Sequence, residues 1–225
     1  LTKVSYEEML EMASLGAKVL QTRSVELAMA KRVPVRVLSS FIEPDENGNL
    51  PQHAGTLICD EDEIVEKRIV SGVTMSRDEA RITLLGLSDR TDAPADVFTR
   101  LAEANVNVDM IVQSQARTAG TVNLTFTTGR RDAVRAAELM TAAKEQLGFE
   151  EIRVDEDVAK VSVVGVGMRS HAGVAQTMFK ALADKGVKFQ AISTSEIKIS
   201  VLIDSDYAEL AVRALHAAYG LDAED

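Results

Sequence analysis

The sequence predicts an α+β fold in which two copies of one βαββαβ unit stand in tandem behind the end of a separate α/β segment. Three observations carry this. A unit recurs along the chain; the periods within each copy run β-α-β-β-α; and a helical amino-terminal stretch lies outside the repeat. ARITLLGLSDR (80–90) matches AKVSVVGVGMR (159–169), VFTRLAEANVNVDMIVQ (97–113) matches MFKALADKGVKFQAIST (178–194), and TVNLTFTTGRRDAVRAAELMTAA (121–143) matches EIKISVLIDSDYAELAVRALHAA (196–218). The offsets are 79, 81 and 75 residues, so the copies differ by two residues in an early loop and six in a later one.

Taken in order, VSYEEMLEMASLGAKVLQTRSVELAMAKRV is helical in period and VPVRVLSSF reads as a strand. IEPDENGNLPQHAG has two prolines, two glycines and no period, which predicts a mobile loop. Residues 1–59, opening at Leu1, are too few for a domain and are expected to be the tail of a larger one, so that the chain reads as processed or as a piece.

Residues 60–79 are expected to supply a strand region that joins the second unit; the units themselves span 80–155 and 156–225. In the first, strands are predicted at 82–87, 108–113 and 122–127, helices at 95–104 and 132–146, and a closing strand at 150–154. In the second, KVSVVGV is a β-branched strand, and VAQTMFKALADKG puts Val174, Met178, Leu182 and Ala183 on one helical face before Gly186. VKFQAIST is a strand, and EIKISVLI turns Ile197, Ile199, Val201 and Ile203 inward with polar residues outward. DYAELAVRALHAAYG is a helix with Leu210, Ala211, Ala214 and Leu215 on its apolar face. The order is the ferredoxin-like split β-α-β, an antiparallel sheet with both helices on one face.

Composition excludes several functions. A formal charge of −10 with scattered Lys and Arg argues against a phosphate-backbone partner. A ferredoxin-like nucleic-acid binder would need aromatic residues on its central strands, and the candidate strands offer only Phe126 and Phe189. There is no apolar run of the roughly eighteen residues that a membrane helix needs and no secretory leader pattern; with the lone Cys59 this points to a reducing cytoplasm. His53, His171 and His216 have no ligand spacing, so structural or surface roles are expected and no metal site. VVGVGMRSHAGVAQTMF (163–179) has the outline of a phosphate loop, but Gly165, Gly167 and Gly173 depart from G-x-G-x-x-G, and the first copy shares only Gly86.

SYEEMLEMASLGAKVL, RSVELA, RVLSSF and GTLI resemble the last part of the catalytic domain of aspartate kinases. VSGVTMSRDEARITLLGLSD, NVNVDMIVQ, VSVVGVGMRSHAGVA and ISTSEIKISVLI resemble that family's tandem ACT domains. The resemblance covers essentially the whole chain, with Gln21-Thr22 standing where many relatives have His-Pro. It implies two ferredoxin-like ACT domains behind a remnant of an amino-acid-kinase domain. The enzyme would transfer the γ-phosphoryl of ATP, with Mg²⁺, to the side-chain carboxylate of L-aspartate. The family's Lys-Phe-Gly-Gly phosphate motif and its aspartate-binding motifs are absent, so no catalytic residue and no cofactor is assigned to this chain, which is expected to be inactive alone.

The resemblance further implies that the repeats bind lysine, threonine or both and lower kinase activity, in a homodimer formed through ACT domains and in contact with the catalytic domain. A free amino acid needs N–H donors for its carboxylate and oxygen acceptors for its ammonium, and a strand-turn-helix junction supplies the donors. In the first unit the junction residues Asp89, Thr91, Ala93 and Pro94 are candidates, with Asp92 read as an N-cap. Across the sheet stand Asp109, Gln113, Ser114, Gln115 and Thr121, and SQARTAG (114–120) carries the insertion as a candidate lid. In the second unit the candidates are Met168, Ser170, His171, Gly173 and Val174, with Val187, Phe189, Ser193, Thr194, Ser195 and Glu196 on the neighbouring strand region; Ser170 reads as a cap. A separately made regulatory subunit of a two-subunit kinase is the alternative reading.

Overall fold

A computed structural model of the chain describes residues 1–43, 46–47, 49, 51, 54–64 and 69–222. His53 and parts of the predicted mobile loop lie outside the described residues.

The amino-terminal segment forms a small layer of its own. Strands β1 (Lys3–Ser5), β2 (Val35–Val37) and β3 (Thr56–Cys59) make a sheet in the order β1-β3-β2, with β1 parallel to β3 and β2 antiparallel to it. The continuous helical period resolves into α1 (Tyr6–Ser14) and α2 (Thr22–Lys31). Helix α1 starts where it does because Ser5 and Glu8 form a reciprocal capping box. Met9, Met12, Leu15, Val25 and Ala28 bury its apolar stripe and that of α2 against Val4 and Ile58.

The rest is one six-stranded sheet in the order β5-β6-β4-β7-β9-β8. It comprises β4 (Gly72–Ser88), β5 (Val108–Gln115), β6 (Thr121–Thr128), β7 (Glu151–Val164), β8 (Phe189–Thr194) and β9 (Lys198–Asp204). Strands β4 and β7 are long enough to serve both repeats. The later part of β4 pairs with β6 and with 151–158 of β7; its first residues, 72–76, pair with 160–164. Register shifts between Ser76 and Arg81 separate the two stretches. Each unit thus has four strands in the order fourth-first-third-second, and the second unit's fourth strand precedes the rest of it in the chain.

Helices α3 (Ala93–Glu103), α4 (Arg130–Ala142) and α5 (Lys144–Leu147) cover the first unit, burying Val97, Leu101, Ala136, Met140 and Leu147 on Ile82, Leu84, Leu124 and Phe126. Phe98 meets Phe126 edge-on at 5.8 Å. The single helix expected at 132–146 is broken at Ala143, so that Leu147 turns into the core before Gly148. Helices α6 (Val174–Asp184) and α7 (Ala208–Ala218) cover the second unit through Val174, Met178, Leu182, Ala208, Ala211 and Leu215. Ala183, expected on the buried face of α6, is exposed.

The other face of the sheet is not open. Strands β5 and β8, at opposite ends of the strand order, come together as the sheet curls, and Met110, Val158, Ala191 and Leu202 form an apolar cluster between the units. Further along the same face Ser162 and Ser200 are buried and share a 2.7 Å hydrogen bond, and beyond them Val164 packs with the α1 cluster while Lys198 pairs with Glu11 of α1. The outward face expected for β9 is therefore covered, at the Leu202 end by the packing of one unit on the other and at the Lys198 end by α1.

Candidate functional site

The second repeat builds a cleft from its strand-turn-helix junction. Strand β7 ends at Val164; Gly165 follows because an added Cβ would stand 2.3 Å from the Ile69 carbonyl oxygen. A 3-10 turn, Val166–Arg169, then leads through Ser170 to Gly173, whose φ of 98° suits glycine at the N-cap of α6. Ser170 is not that cap. The intervening turn places it three residues early, and its hydroxyl donates back to the Gly167 carbonyl. No side chain caps α6, so its first-turn amides lack a side-chain partner where residues 173–175 line the cleft.

Opposite stand the end of β8 and the β8–β9 turn, closed by the Ser195 N–H donating to the Lys198 carbonyl at 2.8 Å. The cleft holds about 530 Å³ and is lined by Met168, His171, Gly173, Val174, Thr194, Ser195 and Glu196, all predicted from the sequence, together with Arg169, Ala175 and Ile199, which were not. Arg169 spans it. Its Nε lies 3.4 Å from Glu196 and its Nη1 3.3 Å from Glu61. A cation at a strand-to-helix junction is the signal that could have singled it out. His171 Nδ1 lies 2.9 Å from the Gly167 carbonyl, which can only accept, so Nδ1 carries the proton.

Behind the same loop a second hollow of about 650 Å³ runs to Ala218–Gly220. There Tyr219 donates to the Val174 carbonyl at 2.7 Å, and burial pushes its hydroxyl pKa up to about 12. Ser193 stands one residue from the cleft along β8. Val187 and Phe189 are not brought to it: Val187 lies in the core, and Phe189, at the far end of β8, packs on Phe179 with ring centroids 5.2 Å apart.

In the first repeat the junction follows Ser88. The Asp89 N–H donates to the Gly120 carbonyl at 3.0 Å, so the β5–β6 loop closes directly on the junction. Asp89, Thr91, Pro94, Gln115 and Thr121 gather at this end, with Ala93 beneath them in the core. Asp92 occupies the N-cap position of α3 without capping it; its carboxylate and that of Asp96 pair instead with Arg90. Ser114 and Gln113 lie further along β5, opposite Asn123 and Leu124.

Asp109 is at the other end of that strand, opposite Thr127 and roughly 20 Å from Gln115 at the usual strand rise. There it meets Lys160 at 2.7 Å, and Lys160 also meets Glu79 at 2.7 Å. Burial opposes ionisation of Asp109, but the hydrogen bond and charge of Lys160, the Met110 amide and Lys198 outweigh it and hold the carboxyl below its ordinary value. Burial likewise opposes the charge on Lys160, and Glu79 and Asp109 together raise its pKa. This triad ties the first unit's edge strand to the shared ribbon.

Among the described residues no group of His, Cys, Asp or Glu is placed to hold a metal ion, and no helix is long and apolar enough to cross a membrane. What the second cleft offers is donors at a helix terminus, one guanidinium and one carboxylate, the complement of a zwitterion.

Residues 161–219 match the family model described as ACT domain. The aspartokinase of Pseudomonas aeruginosa is 50% identical over 225 residues, which cover 99% of this chain and 52% of that protein. The chain thus spans about half the length of the curated relatives it matches. A crystal structure of aspartokinase alpha and beta subunits superposes with a TM-score of 0.63 at 42% identity, covering 67% of this chain and 99% of that one. The ligand-free regulatory subunit of aspartate kinase from Thermus thermophilus gives 0.63 at 39% identity, covering 67% and 98%. With two ACT-type units in one sheet and these relatives along nearly its whole length, the chain belongs to the aspartokinase family.

Proposed function

We propose that this chain is the regulatory region of an aspartokinase, and that lysine, threonine or both bind at its strand-turn-helix junctions to inhibit the whole enzyme. That enzyme would phosphorylate the side-chain carboxylate of L-aspartate with ATP and Mg²⁺ in a catalytic part to which residues 1–59 belong. The observation that carries the reading is the second-repeat cleft. Its volume falls in the range of about 300–1,000 Å³ common for small-ligand sites, and it sets Arg169 and the α6 amides against Glu196. An amino acid's carboxylate would take the first two and its ammonium the third. Asp89, Thr91, Gln115 and Thr121 are assigned to a second, unequal site, with 114–120 as its lid.

Leu27, Val33 and Phe41 stand exposed on the amino-terminal segment, apolar surface of the kind that the body of a catalytic domain would cover. A homodimer through the ACT units would cover Ile111 and Ile192, which stand exposed on β5 and β8. Inhibition is then a population shift, and moving a switch from 1:99 to 99:1 needs about 5.5 kcal/mol of differential binding, which several coupled sites supply more readily than one. In this reading the enzyme works in the cytoplasm, where the lone Cys59 would stay reduced.

Calorimetric titration with lysine and with threonine, with sedimentation in parallel, tests this. Binding that tightens a dimer and weakens on Glu196→Ala supports it; no heat with either amino acid refutes it. A separately made regulatory subunit is the second reading, favoured by the Thermus thermophilus regulatory subunit, 98% of which this chain covers.

A further inference from the structure

We propose that the buried carboxylate of Glu8 is the positioning residue through which the amino-terminal segment reads occupancy of the second-repeat cleft; this rests on the regulatory reading above. Glu8 sits on the first turn of α1 and is only 2% exposed. Its Oε2 accepts from the Ser5 N–H at 3.1 Å and the Ser5 hydroxyl at 3.0 Å, which is the capping box. Its Oε1 does something no cap requires. It accepts the Ser71 hydroxyl and, at 2.9 Å, the N–H of Val166, donors that lie 63 and 158 residues further along the chain.

Both remote donors are tied to the cleft. Val166 opens the 3-10 turn whose later residues Met168 and Arg169 line it. Ser71 leads into β4, and its N–H donates to the Val164 carbonyl at 2.8 Å. Between them Gly165 touches Ile69 and Val70 backbone to backbone, with no room for a Cβ, while its N–H donates to the Ile197 carbonyl at 2.9 Å. One carboxylate therefore joins the capping turn of α1, the entry to the shared ribbon and the floor of the cleft, in a region with no slack to absorb a shift.

The coupling follows from the charges across the cleft. A zwitterion entering between Arg169 and Glu196 competes for both members of that 3.4 Å pair. Drawing Arg169 away from Glu196 leaves Glu61 as its remaining carboxylate partner and shifts the balance of forces on the turn that begins at Val166. A buried carboxylate loses much by losing a donor, because water is not there to replace it. The Val166 N–H must then drag Glu8 with it or leave it short of a bond, and either outcome moves the start of α1. Lys198, beside the cleft, pairs with Glu11 on the same helix at 3.2 Å, so α1 is held to this end of the second unit at a second point.

The test uses the whole aspartokinase that carries this sequence, with Ser71→Ala and Glu8→Gln made separately. Lysine and threonine binding are measured by calorimetry and inhibition by activity relative to each variant's own uninhibited rate. Ser71→Ala removes one hydroxyl and keeps the capping box, so it remains informative if Glu8→Gln folds poorly. The expected result is affinity within about threefold of the unaltered enzyme, with the activity left at saturating effector raised by up to about tenfold, as when one charge-assisted hydrogen bond of coupling is removed. A purely structural role would lower the melting temperature and shift binding and inhibition together. Unchanged inhibition curves in the variants, with binding intact, overturn the inference. Failure of both amino acids to bind the unaltered enzyme overturns the regulatory reading and the inference with it.

Discussion

Lys160→Met isolates the charge cluster between the two units. The Lys160 and Glu79 side chains are each 7% exposed and meet at 2.7 Å, whereas Asp109, the other partner, is 53% exposed. Removing one member of a buried pair costs about 3–5 kcal/mol, mostly because the other is left charged and unsolvated. Asp109 can take water and Glu79 cannot, so the expected loss is at the low end, about 3 kcal/mol. For a chain of this size that is roughly 6–12 °C in melting temperature. Urea or thermal unfolding measures it.

The double variant Lys160→Met with Glu79→Leu should return to within about 1 kcal/mol of the parent, since an apolar pair of similar volume avoids the desolvation. A loss below about 1 kcal/mol for the single variant, or simple additivity in the double, would refute the reasoning. The cluster also sets a pH dependence. Asp109 titrates below its ordinary value when folded, so its contribution is present above the unfolded pKa of about 3.9 and is lost as pH falls through the folded one. Lys160 is raised, so its contribution is present below about pH 10.4 and is lost as pH rises through the folded value. Lys160→Met should flatten both limbs.

Three further outcomes are expected. Gly165→Ala should cost about 1–3 kcal/mol in urea unfolding, because its Cβ would stand 2.3 Å from the Ile69 carbonyl oxygen and 2.7 Å from the Val70 Cα; a neutral result would mean that residues 69–70 move freely. Asp92→Ala should change stability by less than about 0.5 kcal/mol rather than the roughly 1 kcal/mol of a true N-cap, and a full cap-sized loss would contradict its pairing with Arg90. Cys59 is fully buried and burial pushes its thiol pKa up, so thiol reagents at neutral pH should label it only on unfolding; rapid labelling of the native protein would count against its placement.

The repeat was legible because each copy must bury the same stripes. Met178 and Leu182, or Ile82 and Leu84, announce core positions whatever else the chain does. The reverse face of the sheet was not. Lys198 and Ser200 alternate with Ile199 and Val201 as residues facing water would, with Leu202 the one apolar exception, and it takes the other unit and α1 together to cover that face. The same docking explains Asp109, which looked like a ligand group beside Gln113 in sequence and is in space the partner of a lysine from the other repeat. In the second cleft the glycines and polar residues announced a junction, but how many residues the turn consumes is a backbone matter. That count decided between Ser170 and Gly173 as the start of α6. Glu8 shows the opposite case: its S-x-x-E spacing announces the cap, whereas nothing local announces its hydrogen bonds to Ser71 and Val166.

The two long strands bear on how the molecule is made. Gly72 pairs with Val164, about 90 residues later, so the opening stretch of β4 leaves the ribosome well before the strand it must meet. The first unit can close as soon as β7 emerges. The second cannot, because its own helices and β9 come last while its outermost strand has been waiting since before the first unit began. Assembly is thus ordered by topology, and a pause or truncation after residue 164 would leave a finished first unit carrying a β-branched ribbon whose β7 edge, 158–164, lacks β9, the kind of surface on which chains aggregate.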